Sequence, residues 1–112
     1  MPNIRASREV IIRTENWSQA VRFYETALGF AVSSRADAMV GFETGAFQLY
    51  VEAGQPHGPV FDFLVANVPA TKAQIISAGC VLLEEDANVP RCHLRDPFGV
   101  VFNLGRAPAS PG

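Results

Sequence analysis

The stretch EVIIRTEN at residues 9–16 corresponds to VFDFLVAN at residues 60–67, and each begins one half of a repeated pattern. Both are short runs rich in β-branched and aromatic residues, which predict a strand. A helix-like segment, a turn-rich stretch and a final apolar run follow in each half. Because the order of elements is the same, we predict a single domain, 1–112, built from modules 8–53 and 60–106. A linker is predicted at 54–59 and a mobile tail at 107–112.

Each module is predicted to contain one helix and four strands. The first helix ends at Gly29, and the second has Pro69 in its first turn and ends at Gly79. The predicted strands are 9–14, 30–35, 38–43 and 46–52, then 60–65, 80–85, 91–95 and 100–104. The helical residues expected to face inward are Ala20, Val21, Phe23, Tyr24, Leu28, Ala73, Ile75 and Ile76. The expected fold class is α+β, with two βαβββ modules forming curved mixed sheets and helices on the convex face.

Composition excludes several classes of function. Apolar residues make up 48% and charged residues 18% of the chain, which is an ordinary globular mixture. Nine basic and eleven acidic side chains are scattered without a basic stripe, so we expect no nucleic-acid partner. The apolar runs are too short to span a bilayer or to form a signal peptide, so we expect no membrane partner. Two cysteines without a CxxC motif indicate a cytoplasmic protein with Cys80 and Cys92 as buried thiols.

Side-chain alternation along the strands separates two faces of each sheet. The residues expected on the helix side are Val10, Ile12, Phe47, Leu49, Val51, Phe61, Phe63, Val65, Cys92, Leu94, Val100, Phe102 and Leu104. The opposite, concave face is expected to carry Glu9, Arg13, Gln48, Tyr50, Glu52, Asp62, His93 and Asn103, together with Ile11, Val60, Leu64, Arg91 and Arg95. Such a face is either a binding concavity or simply the side that an antiparallel sheet leaves to water.

Three features together carry a family resemblance. They are the run AVRFYETALGF at 20–30, the turn DPFG at 96–99 followed by VVFNL, and the paired βαβββ pattern. With them the chain resembles the vicinal oxygen chelate superfamily, which includes glyoxalase I, bleomycin-resistance proteins, fosfomycin-resistance enzymes and extradiol dioxygenases. The resemblance covers residues 8–106 and implies the fold, but it does not select one function, because the superfamily contains enzymes and plain binders.

In metal-dependent members, the resemblance implies ligands at four positions that hold Glu9, Gln48, Val60 and Asn103 here. Glu9 is a good ligand, the two amides are weak ones, and Val60 has no donor atom. We therefore expect no metal and no other cofactor. A rearranged site using His57, His93 or Asp62 stays open as an alternative. Otherwise His57 is expected to be a solvated loop residue and His93 a sheet-surface residue.

Arg13 follows Glu9 by four residues, and the resemblance implies that an arginine at this spacing helps to hold the ligand's carboxylate. Its guanidinium is suited to an anion. The alternative is an ion pair with Glu9 or Glu52. Tyr50, together with Trp17 or Phe98 near a rim, offers a flat surface for a planar ligand, although Trp17 also suits a place over the core.

Two classes of function follow. The first is a metal-free binding protein that sequesters a small planar or anionic compound through Arg13, Gln48, Tyr50, Glu52, Asp62, His93 and Asn103. The second is a metal-dependent lyase or isomerase of glyoxalase I type with Glu9 as its base. A relic of the fold without a ligand is a third. The resemblance also implies a homodimer, because short chains of this family usually exchange modules between subunits.

Overall fold

The elements follow the order strand, helix and three strands twice over in residues 4–88 and 91–108, the part of the chain that the computed structural model describes. The helices are α1 (Trp17–Arg22), which continues as a π-helical turn (Phe23–Ala27), and α2 (Val68–Ser77). The strands are β1 (Arg5–Thr14), β2 (Ala31–Ala36), β3 (Met39–Glu43), β4 (Gln48–Ala53), β5 (His57–Val65), β6 (Val81–Asp86), β7 (Arg91–Arg95) and β8 (Val101–Arg106). The predicted α+β fold class with two βαβββ modules is confirmed.

The chain divides into a first unit, Arg8–Pro59, and a second unit made of the described residues of Met1–Ser7 and Val60–Gly112. Half of the predicted linker is strand, since β5 begins at His57. The backbone there is extended, which suits the fixed φ of Pro59. The predicted tail lies outside the described residues from position 109 onward. Within the described ranges, no helix is long and apolar enough to cross a membrane.

The sheet of the first unit has the strand order β2-β3-β4-β1, with β1 parallel to β4 and the other neighbours antiparallel. Its helix side forms one apolar cluster. Val40, Phe42 and Val51 are at most 2% exposed, and Trp17 packs against them while its indole N–H donates to the Val51 carbonyl at 2.8 Å. Trp17 therefore lies over the core rather than at a binding rim.

The second unit repeats this arrangement with the order β5-β8-β7-β6, in which β5 and β8 are parallel. Asn67 caps the N-terminus of α2, and its side chain accepts the Ala70 N–H at 3.0 Å. As predicted, both helical segments are followed by glycines, Gly29 and Gly79, with positive φ. The apolar cluster of the second unit consists of Val65, Cys92, Leu94, Phe102 and Leu104, and Phe63, Val68, Ile75 and Cys80 pack against it.

Several side chains predicted to face the core are instead exposed. Phe47 and Val100 are 37% and 41% exposed, because each lies next to a strand end, where the neighbouring elements no longer cover it. Phe61, at the centre of β5, is 44% exposed, because it lies where the pairing of β5 with β8 only begins. Phe23 and Leu28 are about half exposed, because the π-helical turn widens the helix and changes its angular spacing. Ala73 and Ile76 on α2 are also exposed, whereas Ile75 packs inward. The thiols of Cys80 and Cys92 are free, and burial raises the pKa of each.

Candidate functional site

The predicted site residues of the first unit lie on its polar face, the side of the sheet opposite α1. The parallel register places Glu9 beside Gln48, Ile11 beside Tyr50 and Arg13 beside Glu52. Successive pairs on one face of a sheet are two residues apart, so this register brings all five polar side chains together. The alternation that predicted this face from the sequence therefore corresponds to neighbouring side chains in the structure.

Arg13 is engaged by a carboxylate of its own unit. Its Nε donates to Glu52 Oε1 at 2.8 Å, and the two side chains are only 11% and 13% exposed. This is one of the two ion pairs that the sequence left open as an alternative to anion binding. Because the guanidinium charge is already matched by a carboxylate, Arg13 is poorly suited to receive a second anion.

Tyr50 is half buried next to Glu9. Burial raises the pKa of the Tyr50 phenol, and the hydrogen bond to the Glu9 carboxylate and its charge raise it further. The phenol is therefore held in its neutral form and donates to Glu9. This contact holds the ring on the polar face.

Gln48 is held on both sides of its amide. Its Oε1 accepts the Ser33 hydroxyl at 2.8 Å, and its Nε2 donates to Glu43 Oε1 at 3.4 Å. Glu43 also accepts two hydrogen bonds from Arg8 and one from the Gly45 N–H, and these contacts lower the pKa of its carboxyl. Gln48 is thus part of a hydrogen-bonded chain that joins side chains of four strands, β2, β4, β3 and β1.

The second unit also has a polar face, and Asp62 lies at its centre. Asp62 is 7% exposed and accepts the Ser7 hydroxyl at 2.8 Å and the Asn103 amide N–H at 3.0 Å. Asn103 in turn accepts the Cys92 backbone N–H through Oδ1 at 2.9 Å. The register pairs Asn103 with Asp62. The repeat predicts Val60 as the neighbour of Asn103. Val60 instead lies two residues before Asp62 in β5 and is fully buried.

His93 continues the same row across β7. It lies opposite Asn103 in β8 and opposite Glu84 in β6, and it is 3% exposed rather than on the sheet surface as predicted. Its Nδ1 is 4.0 Å from Glu84 Oε2, and Glu84 Oε1 accepts a hydrogen bond from Arg91 at 2.9 Å. His57, expected in a solvated loop, is half buried at the start of β5, with Nδ1 3.2 Å from the Gly58 carbonyl oxygen.

The four positions at which the family resemblance implies metal ligands do not fit a divalent ion. Val60 has no donor atom, and the oxygens of Gln48 and Asn103 already accept hydrogen bonds from Ser33 and Cys92. Only Glu9 brings a charged oxygen, and it receives the Tyr50 hydroxyl. One carboxylate and two engaged amides are a weak donor set for a transition metal, and they lack the negative charge that Mg²⁺ or Ca²⁺ requires.

Comparison with known protein families identifies the family of this chain. The model of the glyoxalase-like domain family matches residues 9–105, nearly the whole chain. The chain belongs to the glyoxalase-like domain family. A search among curated proteins finds no significant match to this glyoxalase-like domain.

Solved structures share the fold of this glyoxalase-like domain at low sequence identity. A glyoxalase/bleomycin resistance protein/dioxygenase superfamily member from Vibrio splendidus 12B01 has a TM-score of 0.64 at 14% identity, covering 96% of this chain and all of that one. A hypothetical protein from Bacillus halodurans C-125 has a TM-score of 0.66 at 11% identity, covering 98% and 99%. Homoprotocatechuate 2,3-dioxygenase from Brevibacterium fuscum, in complex with 3,4-dihydroxyphenylacetate, has a TM-score of 0.66 at 18% identity, and the match covers 99% of this chain but only 39% of the dioxygenase. These likenesses establish the fold alone.

Sequence reasoning missed three contributors to the polar faces of the glyoxalase-like domain. Strand β2 changes register between Val32 and Ser34, and β6 does so between Leu82 and Glu84. A bulge of this kind turns side chains away from simple alternation. It brings Ser33 to Gln48 and Glu84 to His93. Ser7 was missed because β1 begins at Arg5, four residues before the predicted start. Both units have this bulge, in β2 and in β6, but the residue composition of these strands does not indicate it.

The buried position of the Arg13–Glu52 pair predicts a large cost for breaking it. We expect Glu52→Gln to lower the free energy of unfolding by about 2–3 kcal/mol, because the largely buried guanidinium then loses the carboxylate that accepts its Nε–H. The exposed pair of Arg35 and Glu25, with side chains 57% and 42% exposed, provides the matched control. Glu25→Gln should cost less than about 1 kcal/mol. Urea unfolding of both variants measures the difference, and equal costs would show that Arg13 is not held by Glu52.

Proposed function

We propose that this glyoxalase-like domain is a metal-free binding protein that sequesters a small planar compound. The observation that carries the proposal is the polar face of the first unit, where Glu9, Gln48 and Tyr50 lie on adjacent strands with their hydrogen bonds already made. Preformed sites of this kind lose little conformational entropy when a ligand binds. Tyr50 supplies the flat surface, and the neighbouring polar groups supply orientation.

The second unit contributes a further set of ligand-binding candidates in this proposal. Asp62, His93 and Asn103 form one row across β5, β8 and β7, and Ser7 and Glu84 hold its ends. Both acceptors and donors are present, so the row suits a compound with hydroxyl or amide groups at its edge. Of the two ligand classes expected from the sequence, the planar class is better supported than the anionic class, because Arg13 is paired with Glu52.

A lyase or isomerase of glyoxalase I type receives no comparable support. Such a reaction moves a proton between adjacent carbons and needs strong stabilisation of the oxyanion that develops. Glu9 is a possible base, but the neighbouring Gln48 and Tyr50 are neutral groups already committed to other partners. The donor set around Glu9 therefore favours binding over this chemistry.

A thermal-shift screen of planar compounds tests the proposed function. It includes the uncharged compounds catechol and benzamide, with the anion 3,4-dihydroxyphenylacetate as the comparison, because a dioxygenase of the same fold binds it. A compound present at about 100 times its Kd should stabilise the protein by about 2.7 kcal/mol, with the same shift in Tm in the presence of EDTA.

Tyr50→Ala should remove this stabilisation, and Phe23→Ala is the matched control because the half-exposed Phe23 side chain belongs to the π-helical turn, away from the polar face. The proposal fails if EDTA abolishes the shift. It also fails if both variants retain the shift equally.

We also propose that the protein is a homodimer in the cytoplasm, with a small-molecule ligand and without nucleic-acid or membrane partners. Strand β6 lies at one edge of its sheet, and Val81, Leu82 and Leu83 on it are 48%, 38% and 46% exposed. Exposed apolar edges of this kind are usually covered. The two free thiols suit a reducing compartment.

Light scattering tests the dimer. The unsubstituted protein should have twice the mass of the 12.1 kDa chain, and the triple variant V81S/L82S/L83S should have the mass of one chain. A monomeric unsubstituted protein would contradict the proposal.

A further inference from the structure

Gly41 occupies a crowded position in the middle of β3. It is buried, and it lies opposite Tyr50 in β4 and opposite Ser34 in β2. A Cβ atom at position 41 would lie 2.9 Å from Tyr50 Cε1 and 2.6 Å from Ser34 Oγ. Real Cβ atoms essentially never come so close to a neighbour. The space that a side chain would fill is therefore taken by the Tyr50 ring and a serine hydroxyl.

The bulge in β2 adds a second hydroxyl to the same place. Ser33 Oγ would lie 3.1 Å from a Cβ at position 41, so both successive serines approach Gly41. In a regular strand, neighbouring residues point to opposite faces. The register shift between Val32 and Ser34 removes this restriction. Gly41 thus forms the floor of a small area bordered by two hydroxyls and the edge of an aromatic ring.

The position of Tyr50 depends on this floor. The ring approaches the β3 backbone because residue 41 has no side chain, and its hydroxyl meets Glu9. Any side chain at position 41 would push the ring away from the sheet. A displaced ring would be more exposed to water and would lose its contact with Glu9.

We propose that Gly41 is a positioning residue of the ligand site, which sets the depth of Tyr50 and thereby selects a flat, uncharged ring with hydrogen-bonding groups at its edge. The proposal rests on the proposed function for its ligand. The uncharged class follows from the Arg13–Glu52 pair, which leaves no unmatched guanidinium charge beside the ring. The hydroxyls of Ser33 and Ser34 lie beside the floor, where the edge of such a ring would meet them.

The position of Tyr50 can be measured without any ligand. The chain has two tyrosines, so Tyr24→Phe leaves Tyr50 as the only phenol that titrates in ultraviolet absorbance. In this background the titration midpoint should lie above the ordinary value of about 10. Adding Gly41→Ala should move the midpoint down toward about 10, because the ring is displaced toward water and away from Glu9.

Gly58→Ala is the matched control, since a Cβ at position 58 would have no atom within 4 Å. It should leave the midpoint unchanged. An unchanged midpoint in a folded Gly41→Ala variant would overturn the proposal.

A double variant keeps the proposal testable if Gly41→Ala alone unfolds the protein. If residue 41 and the Tyr50 ring compete for the same space, Tyr50→Ala should restore folding to Gly41→Ala, whereas Ser34→Ala, which removes only the hydroxyl contact, should restore less. Where Gly41→Ala folds, its cost should be smaller when Tyr50 is already alanine. No rescue by Tyr50→Ala, or equal costs in both backgrounds, would overturn the proposal.

Ligand binding then separates this proposal from the proposed function. For a compound found in the thermal-shift screen, Gly41→Ala should weaken binding about tenfold, the lower end of the effect of a single methyl in a fitted pocket. Unchanged affinity would overturn the role of Gly41 in the ligand site while leaving the binding function in place. A screen without hits would contradict the binding function, and the titration would still decide whether Gly41 positions Tyr50.

Discussion

The parallel pairing of β1 with β4 decides which side chains of the first unit can meet. Its register places Glu9 beside Gln48 and Arg13 beside Glu52. A shift by one residue would exchange the polar and apolar faces of a strand, so the buried cluster around Phe42 and Val51 enforces this register. The polar face is therefore a consequence of the packing on the opposite side of the sheet. Its side chains are held at separations that the register sets.

The pairing of β5 with β8 has the same role in the second unit but a different chemical result. It brings a carboxylate, Asp62, next to an amide, Asn103, and a serine hydroxyl completes the contact. A buried carboxylate needs such donors, because an ionised group without partners is costly to desolvate. In both units, the oxygens at the positions expected for metal ligands are used in hydrogen bonds within the protein. This is the physical basis for proposing a binding protein rather than a metal-dependent enzyme.

Much of the fold could be predicted from local patterns. Apolar alternation identified Leu49, Val51, Phe102 and Leu104 as core residues, and the glycines at positions 29 and 79 marked the helix ends. Periodicity works there because one face of each element is buried. It failed for Phe47 and Val100, since exposure next to a strand end depends on neighbouring elements that the local sequence does not encode.

The candidate site could be predicted only in part for a related reason. The side chains that follow simple alternation, such as Gln48 and Tyr50, were found from the sequence. Those brought in by the bulges of β2 and β6, such as Ser33 and Glu84, were not. A bulge depends on long-range pairing, and neither strand contains a glycine that would mark it. The choice between ion pairing and anion binding at Arg13 also required the structure, since spacing alone allows both.

The metal content of the purified protein tests the central claim most directly. Untagged protein is prepared without chelator, incubated with Zn²⁺ or Ni²⁺, dialysed and measured by plasma mass spectrometry. Because the ligand positions hold a valine and two engaged amides, we expect far less than one metal ion per chain. About one tightly held ion per chain would contradict the account and would favour the metal-dependent lyase or isomerase.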